Sequence, residues 1–423
     1  MEKPEGEKDR IMVRKSLGFG VAVFATAALF SVDGFAQELF RGDTVLTRPR
    51  PEYDPLGIRV GSFFLFPQMT VIEEYNDNIF ATEHDHEDDF ITQLVPSVSV
   101  ESDWNNHALN FAAEGDFGLY ANNNDENYQD FAFATDGRLD ITREAQLSGG
   151  GGVSKRHDDR GNPDTDFSAK DPTVYYQYDA FATYFQQLGR FSATVDGEFF
   201  RRDYDDNESL AGGNINNDDR DRNVYGGGIR GGYEIVPEYE AFVRFDGNTR
   251  IYDETPDDVG VNRDSWGYGI VGGLAFDISG ITVGDIFFGY RSQLYDNDSS
   301  LRNMDGPTGG LAVDWNVTPL TTVGATVART IEETTEIGAS GYWATAGTLR
   351  ADHELLRNVL LNVSGGVTNN DYEGIDRNDF IYRAGIGGTY LINRYFSASL
   401  DYVFTRRSSE DAPGTDQDYT ENR

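Results

Sequence analysis

Apolar and polar residues alternate along most of the chain from residue 63 onward. In the stretch 396–404, for example, Phe396 and Leu400 would lie on one face of an extended strand, with Ser397 on the other. Alternation with a period of two residues indicates half-buried β-strands rather than helices. The same pattern recurs in the stretches 107–120, 190–200, 239–250 and 359–368. The chain is therefore predicted to be all-β.

The connections between these strands are of two kinds, and the two kinds alternate. Short turns are predicted near Asn105, Thr142, Leu188, Pro237, Ser279, Pro319, Leu356 and Asn393. Longer loops rich in Asp, Asn and Gly are predicted at about 76–89, 121–128, 157–173, 205–220, 254–262, 296–304, 331–339, 371–378 and 407–418. This division gives seventeen strands, eight short turns and nine long loops. Within 281–292 the alternation changes phase near Asp285, which predicts a β-bulge.

Two architectures use such strands, a soluble β-sandwich and a transmembrane β-barrel. The barrel explains both the strand length and the alternation of short periplasmic turns with longer extracellular loops. It also needs only one apolar face, because its outside contacts lipid while its inside stays wet. Aromatic residues near strand ends fit interfacial girdles, namely Tyr120, Tyr204, Tyr252, Tyr295 and Tyr390. We therefore predict a transmembrane antiparallel β-barrel of about 18 strands.

The end of the sequence bears on how the barrel closes. An open sheet edge in lipid leaves backbone N–H and C=O groups without partners, so a barrel must close on itself. Bacterial single-chain barrels have even strand numbers, whereas seventeen strands are visible here. We predict that Tyr419 to Arg423 begin an eighteenth strand and that the last strand is truncated. The alternative is a complete chain in which one hairpin has been miscounted.

The N-terminal part of the chain differs from the rest. Arg14 and Lys15 precede an apolar run from Leu17 to Phe30, which predicts a signal peptide over residues 1–36 with cleavage after Ala36. The alternative, an uncleaved anchor, would need a longer apolar run. Residues 37–62 are rich in proline and are predicted to form an extended periplasmic tether. The barrel is then expected over residues 63–423.

Composition narrows the classes of function. The formal net charge is −37, which argues against nucleic acid as a partner because little would neutralise its phosphates. The absence of Cys excludes disulfides and thiolate metal sites. We expect no cofactor.

Three stretches resemble the opening of a known family: 48–59 (RPRPEYDPLGIR), 62–71 (SFFLFPQMTV) and 73–80 (EEYNDNIF). The family is the putative β-barrel porin 2 family, outer-membrane proteins often encoded with exopolysaccharide or capsule synthesis. The resemblance implies an outer-membrane barrel that serves as a conduit for a secreted polysaccharide. Members of the family end in a strand with a terminal aromatic, which this chain lacks. The resemblance supplies no functional residues.

Candidate chemistry outside the barrel wall is sparse. The five histidines are His84, His86, His107, His157 and His353. All five are predicted to lie in loops or turns, where no rigid strand would hold a catalytic dyad, so we expect no enzyme. The cluster HDHEDD, including His84, His86 and Asp88, is a weak candidate for a divalent cation, and a solvated charge run is the simpler interpretation. The segment DNDSS, residues 296–300, lacks the glycine and glutamate of a calcium loop, since Leu301 and Pro307 stand in their places.

The polar face of the strands is predicted to line the pore. By phase it includes Glu114, Asp116, Asp130, Asp136, Arg138, Asp140, Asp196, Glu198, Glu240, Arg244, Asp246, Arg250, Arg383 and Asp401. A mixed lining with an acidic excess would favour cations or neutral, hydroxyl-rich solutes, although the Arg and Asp residues could also brace the wall. The glycine runs 149–152 and 226–228 are expected inside strands, for close packing or curvature, or to clear room for a wide solute.

Three functions remain open on this sequence. The first is an outer-membrane conduit for exopolysaccharide or capsular polysaccharide. The second is a general or cation- and neutral-solute-selective porin, and the third is a structural or adhesive surface barrel. We expect outer-membrane lipid and lipopolysaccharide as surroundings, with polysaccharide and periplasmic export components as further partners. The sequence leaves the oligomeric state open.

Overall fold

The computed structural model describes residues 43–162, 164–165, 168–296, 300–410 and 417–423. The predicted signal peptide, its cleavage after Ala36 and the start of the tether lie outside the described residues. None of the helices within these ranges is long and apolar enough to cross a membrane.

Strands make up most of the described chain. They are β1 Ile58–Val60, β2 Phe63–Asn76, β3 Asp89–Ser102, β4 Ala108–Tyr120, β5 Tyr128–Asp140, β6 Ala145–His157, β7 Val174–Leu188, β8 Phe191–Tyr204, β9 Asn207–Glu208, β10 Asn214–Ile215, β11 Arg222–Val236, β12 Tyr239–Tyr252, β13 Ser265–Ile278, β14 Thr282–Tyr295, β15 Met304–Thr318, β16 Thr321–Glu332, β17 Gly341–Leu356, β18 Val359–Glu373, β19 Asn378–Leu391, β20 Ser397–Glu410 and β21 Tyr419–Asn422. Two short 3₁₀ helices cover Asn124–Glu126 and Asp218–Arg220.

Nineteen of the strands form one antiparallel sheet, in which each long strand pairs with its neighbours along the chain. The small hairpin of β9 and β10 lies within the loop between β8 and β11, and β8 pairs directly with β11. The last strand reaches back to the end of the first long one. Asp77 N–H donates to Asn422 O at 3.2 Å, and Asn78 Nδ2 donates to Thr420 O at 2.9 Å. The sheet thus curls into a transmembrane antiparallel β-barrel.

The two faces of the sheet have opposite polarity. On β12, Val243 and Phe245 are 57% and 55% exposed, whereas Arg244 and Asp246 between and beside them are 7% and 8% exposed. Apolar side chains therefore cover the outside and polar ones fill the inside. This arrangement is expected for a wall between lipid and an aqueous interior.

The predicted strand count is confirmed. Within the described residues, seventeen long strands are joined alternately by short turns and longer connections, and residues 419–422 form a further, short strand. The predicted bulge at Asp285 is wrong, because the ladders from β13 through β14 to β15 run through it without a shift. The phase changes there because Val283 is buried on the inner face, so an apolar residue takes a position that is polar elsewhere.

Several tyrosines that were expected in interfacial girdles lie inside the barrel. Tyr204, Tyr252 and Tyr295 are 5–7% exposed. Tyr120 has the same parity as Asp116 on β4 and lines an internal cavity. These residues end their strands on the inner face, where strand parity places them. Of the predicted five, Tyr390 is on the outside, at 49% exposure.

The tether folds back onto the barrel. Residues 43–54 form turns at the short-turn end, and Ile58–Val60 add a short strand to β2, so the predicted extended tether differs from the structure. Arg50 forms an ion pair of 2.9 Å with Glu354, both nearly fully buried. Val45, 0% exposed, donates its N–H to Thr322 Oγ1 at 2.9 Å.

Candidate pore interior

The predicted pore-lining residues share the inner face of the barrel. Burial divides them into three groups. Asp116, Arg244, Asp246 and Arg250 are buried; Glu114, Asp130, Asp136, Arg138, Asp140, Asp196, Glu240 and Arg383 are partly buried; Glu198 and Asp401 are exposed to the interior. The strand parity of β4, β5, β8, β12, β19 and β20 is what brings them to one surface.

One section of the inner wall is cross-braced by ion pairs. Arg244 on β12 holds Asp196 on β8 with two hydrogen bonds of 2.6 and 2.8 Å. Arg291 on β14 lies 3.1 Å from Asp246, which is also on β12. The two residues of each pair lie on strands that are separated by one intervening strand. This is possible because the intervening strand carries glycine between them. Bidentate contacts between a guanidinium and a carboxylate are among the stronger hydrogen bonds in proteins.

Glycines make room for these flat-lying side chains. A Cβ at Gly226 would lie 2.5 Å from Glu198 Oε1, and a Cβ at Gly228 would overlap the Arg244 guanidinium. The room above these two glycines is therefore occupied by charged side chains of the wall and is not open to a solute. The run 149–152 has a different cause, because a Cβ at Gly151 would lie 2.6 Å from the backbone oxygen of Asp179. Close approach of neighbouring strands explains glycine there.

A second section of the wall, on β2 to β6, is acidic. Asp116 and Asp130 lie directly opposite each other across β4 and β5, and Glu114 precedes Asp116 on the same face. A cavity of about 140 Å³ opens between these carboxylates and Tyr128. The ring of Tyr128 stacks on His157 with 4.0 Å between centroids. Like charges on directly opposed strand positions are unfavourable, and His157, 3.0 Å from Asp130, offsets part of this cost.

Arginines dominate a third section, which the sequence interpretation missed. Arg202 on β8 and Arg222 on β11 are directly opposed on the inner face. Arg230 on β11 is likewise opposed to Arg244 on β12. The signal was available, because Arg230 and Arg222 share the parity of Gly226 and Gly228, which the alternation places inside.

A loop folds over the long-loop end of the interior. Residues 158–165 follow β6, and Asp158 pairs with Arg220 at 2.6 Å. Asp159 pairs with Arg423 at 3.2 Å, next to the last strand. Asp158 and Arg220 are both nearly fully buried. The loop is thus fixed at two separate points of the wall.

The loop 333–340, after β16, joins the first loop across the interior. Glu333 contacts Arg250 of β12, four strands away along the sheet. Thr334 Oγ1 donates to Asp164 Oδ1 at 2.6 Å. These contacts connect opposite parts of the wall through loop residues, so the interior is narrowed at this end.

Two buried arginines complete this closure. Arg377 and Arg407 lie 2.8 and 2.7 Å from the same carboxylate oxygen of Asp379. Arg377 also pairs with Glu336 at 3.0 Å, and Arg407 Nη1 donates to Gly161 O at 3.4 Å. One carboxylate therefore links both inward-folded loops to β19 and β20.

The sequence pattern of the family described as Putative beta-barrel porin 2 matches residues 50–423. The chain belongs to this family. The family resemblance expected from residues 48–80 is therefore confirmed.

Several solved structures have a similar fold. OpdK from Pseudomonas aeruginosa is 11% identical with a TM-score of 0.44, and the alignment covers 85% of this chain and 96% of that one. OpdO from the same organism is 14% identical with a TM-score of 0.43, over 86% and 95%. The FrpB iron transporter from Neisseria meningitidis is 7% identical with a TM-score of 0.42; the alignment covers 75% of this chain and 60% of FrpB. Similarities this low carry no argument about substrates. No curated protein matches the chain.

Asp159 and Asp221, which lie in loops, have shifted pKa values. Burial alone would raise the pKa of Asp159, but Arg423 and the Gly161 N–H lower it below its ordinary value. Burial raises the pKa of Asp221 to about 7, opposed by the Tyr204 N–H and reinforced by a hydrogen bond with Asp203. Asp159 is therefore ionised at neutral pH, whereas Asp221 is partly protonated there.

The prediction that all five histidines lie in loops or turns is only partly correct. His353 lies within β17 and contacts Thr321 Oγ1 at 3.0 Å, and His157 ends β6 beside Asp130 at 3.0 Å, so neither is a loop residue. His84 and His86 lie in the loop before β3, as expected.

The candidate metal ligands are not brought together. His86 Nε2 lies 3.1 Å from Glu83 O, and His84 lies 3.5 Å from the Glu83 carboxylate. No group of three or more potential ligands that could hold a metal ion occurs in the part of the chain that the structure describes. Asp89, the last residue of the cluster, instead accepts backbone N–H groups from Asn122 and Asn123.

Proposed function

We propose that the protein is an outer-membrane pore for hydrophilic solutes. The observation that carries this proposal is the reversed polarity of the sheet, with apolar side chains outside and charged ones such as Arg244 and Asp246 inside. A wall of this kind keeps the interior wet while the exterior contacts lipid. The inward-folded loops narrow the passage, which supports a selective pore.

The acidic section of the wall gives the pore its preference. Seven carboxylates border the same internal cavity, among them Glu74, Glu114 and Asp116, against four Lys and Arg side chains. Neighbouring carboxylates raise the local concentration of cations and repel anions. Cations and neutral, hydroxyl-rich solutes should therefore pass this section more easily than small anions.

Reversal potentials in planar bilayers test this preference. The double variant Glu74→Gln/Asp116→Asn should lose a large part of the cation selectivity, because it removes two charges from the narrowed part of the passage. Glu73→Gln is the matched control, since Glu73 is adjacent in sequence but exposed on the outer face. Unchanged selectivity in the double variant would contradict the assignment of the acidic wall.

A second candidate is export of an exopolysaccharide or capsular polysaccharide. The width of the wall supports it, because barrels of sixteen to eighteen strands enclose an aqueous channel. A polymer could leave only if the loops 158–165 and 333–340 moved aside. Deletion of the gene would then abolish surface polysaccharide, and Asp159→Asn, which removes the contact with Arg423, would leave export intact or faster. Normal surface polysaccharide in the deletion strain would exclude this candidate.

An outer-membrane pore must first be delivered across the inner membrane. The expected signal peptide would deliver the chain through the inner membrane, and cleavage after Ala36 would release it. Mass spectrometry of the mature protein from outer membranes should find an N-terminus at Gln37. A mature protein that retains Arg14 and Lys15 would contradict cleavage.

A further inference from the structure

We propose that Arg202 and Arg222 form an anion-binding site inside the barrel, which takes a carboxylate carried on a sugar or another ring. The inference rests on the proposed pore and adds a recognition step to it. A carboxylate-bearing solute would then be selected in a passage whose acidic wall otherwise disfavours anions.

Neither arginine of this site has a carboxylate of its own in the described part of the chain. Arg202 and Arg222 are directly opposed on β8 and β11. Among the described residues, neither forms an ion pair within 4.0 Å, and the Nε atoms of both are buried without a hydrogen-bond partner. Arg222 is 7% exposed. Arg202 is partly buried. Two neighbouring cations withdrawn from water are costly unless an anion offsets them.

Other arginines of the inner wall show the contrast. Arg230 pairs with Glu240 at 2.6 Å, and Arg244 pairs with Asp196. Arg220, beside Arg222 in the chain, pairs with Asp158 at 2.6 Å. Within the described ranges, Arg202 and Arg222 have no carboxylate partner of this kind.

Nearby carboxylates are already engaged by other groups. Glu332 accepts a hydrogen bond from Thr330 Oγ1 at 2.7 Å. Glu333 contacts Arg250 and the Tyr252 hydroxyl. They reduce the net charge of the region but form no ion pair with Arg202 or Arg222. Arg202 Nη1 donates instead to the Tyr204 hydroxyl at 3.5 Å, and Arg222 Nη1 donates to Arg220 O at 2.8 Å.

Aromatic rings hold Arg202 in place. Its guanidinium lies 5.2 Å from the centroid of the Tyr175 ring and 5.1 Å from that of Phe200. Tyr204 packs against Tyr175 with 5.2 Å between centroids. A planar guanidinium offers a fork of N–H groups that matches a carboxylate, while rings beside it provide an apolar surface for a sugar or aromatic ring. This combination favours a ring-bearing carboxylate over a bare inorganic anion.

Binding measured in detergent tests the site independently of conduction. Titration calorimetry of the full-length porin would use glucuronate as the probe and glucose as its neutral match. We expect glucuronate to bind more tightly than glucose, and Arg202→Gln or Arg222→Gln to weaken glucuronate binding about tenfold or more. Arg201→Gln is the matched control, because Arg201 has the opposite parity and pairs with Asp203 and Asp253.

Each result decides the proposal. Equal binding of glucuronate and glucose, or the same loss in Arg201→Gln as in Arg202→Gln, would overturn it. If Arg222→Gln fails to fold, Arg202→Lys provides a second test. Lysine keeps the charge but not the fork of N–H groups, so this variant should bind glucuronate more tightly than Arg202→Gln and more weakly than the unmodified protein. A protein that binds glucuronate but does not conduct in bilayers would refute the proposed pore while leaving the site standing.

Discussion

Single glycines decide how charges are arranged on the inner wall. A guanidinium can lie flat across a neighbouring strand only if that strand has no side chain beneath it, as at Gly228 under Arg244. Alternation in the sequence places Gly228 and Arg244 on the same face, but it does not reveal which partner Arg244 chooses. The pair with Asp196 spans 48 residues of chain and depends on the registers of β8, β11 and β12.

Gly228→Ala should destabilise the barrel. The added methyl group would displace Arg244 from Asp196, at a cost of about 1–3 kcal/mol in the free energy of unfolding. Gly231→Ala on the same strand is the control, because no atom lies within 4 Å of its Cβ position. Denaturant unfolding in detergent micelles measures both. Equal stability of the two variants would contradict the role given to Gly228.

Tyrosines show where residue type alone misleads. Tyrosine near a strand end is typical of an interfacial girdle, yet Tyr204 and Tyr252 lie inside, against arginines and loop carboxylates. Their parity with Arg202 and Arg250 would have corrected the prediction. Strand phase is therefore a stronger guide here than composition.

At the scale of elements, strands were predictable and loops were not. A strand is specified by a local pattern of period two, so its existence can be read from about ten residues. The inward course of residues 158–165 depends on Arg220 and Arg423, which lie 62 and 264 residues away in the chain. No local pattern encodes such contacts, and the loop's composition indicates only that it is polar.

The loop between β8 and β11 should loosen as the pH rises through about 7. Because the pKa of Asp221 is raised, its contribution to local stability is complete below about pH 4 and is lost as the carboxyl ionises next to Asp203. Hydrogen exchange of peptides covering 205–221, corrected for intrinsic rates, should increase between pH 6 and 8.

Asp221→Asn should remove this dependence, since the amide keeps an acceptor for the Tyr204 N–H without a charge. Glu208→Gln, an exposed position in the same loop, should behave like the unmodified protein. A pH dependence that persists in Asp221→Asn would show that another group is responsible.

For the whole molecule, polarity and strand rhythm together predicted the architecture. A mean hydropathy of −0.52 would ordinarily indicate a water-soluble protein. The alternation resolves this, because one residue in two along each strand is enough to build an apolar exterior. What could not be predicted is how far the interior is filled, since that depends on the loops and on the segment 43–54.

The intact protein should require detergent. Membranes washed with high salt or carbonate should retain it, and micelles should release it with a β-type circular dichroism spectrum. The outer surface exposes a broad apolar band, with residues such as Ile229, Val243 and Ile270. Such a surface is unstable in water without lipid or detergent. Recovery as a compact monomer from the aqueous fraction would contradict the barrel.

The contacts of the N-terminal segment with β16 and β17 constrain the order in which the barrel assembles. Val45 and Arg50 are bonded to Thr322 and Glu354, partners 277 and 304 residues further along the chain. Those partners do not exist as a surface until β16 and β17 have been paired, so the earliest-made part of the described chain settles among the last. Protection of the Val45 amide from hydrogen exchange would therefore report completion of the barrel.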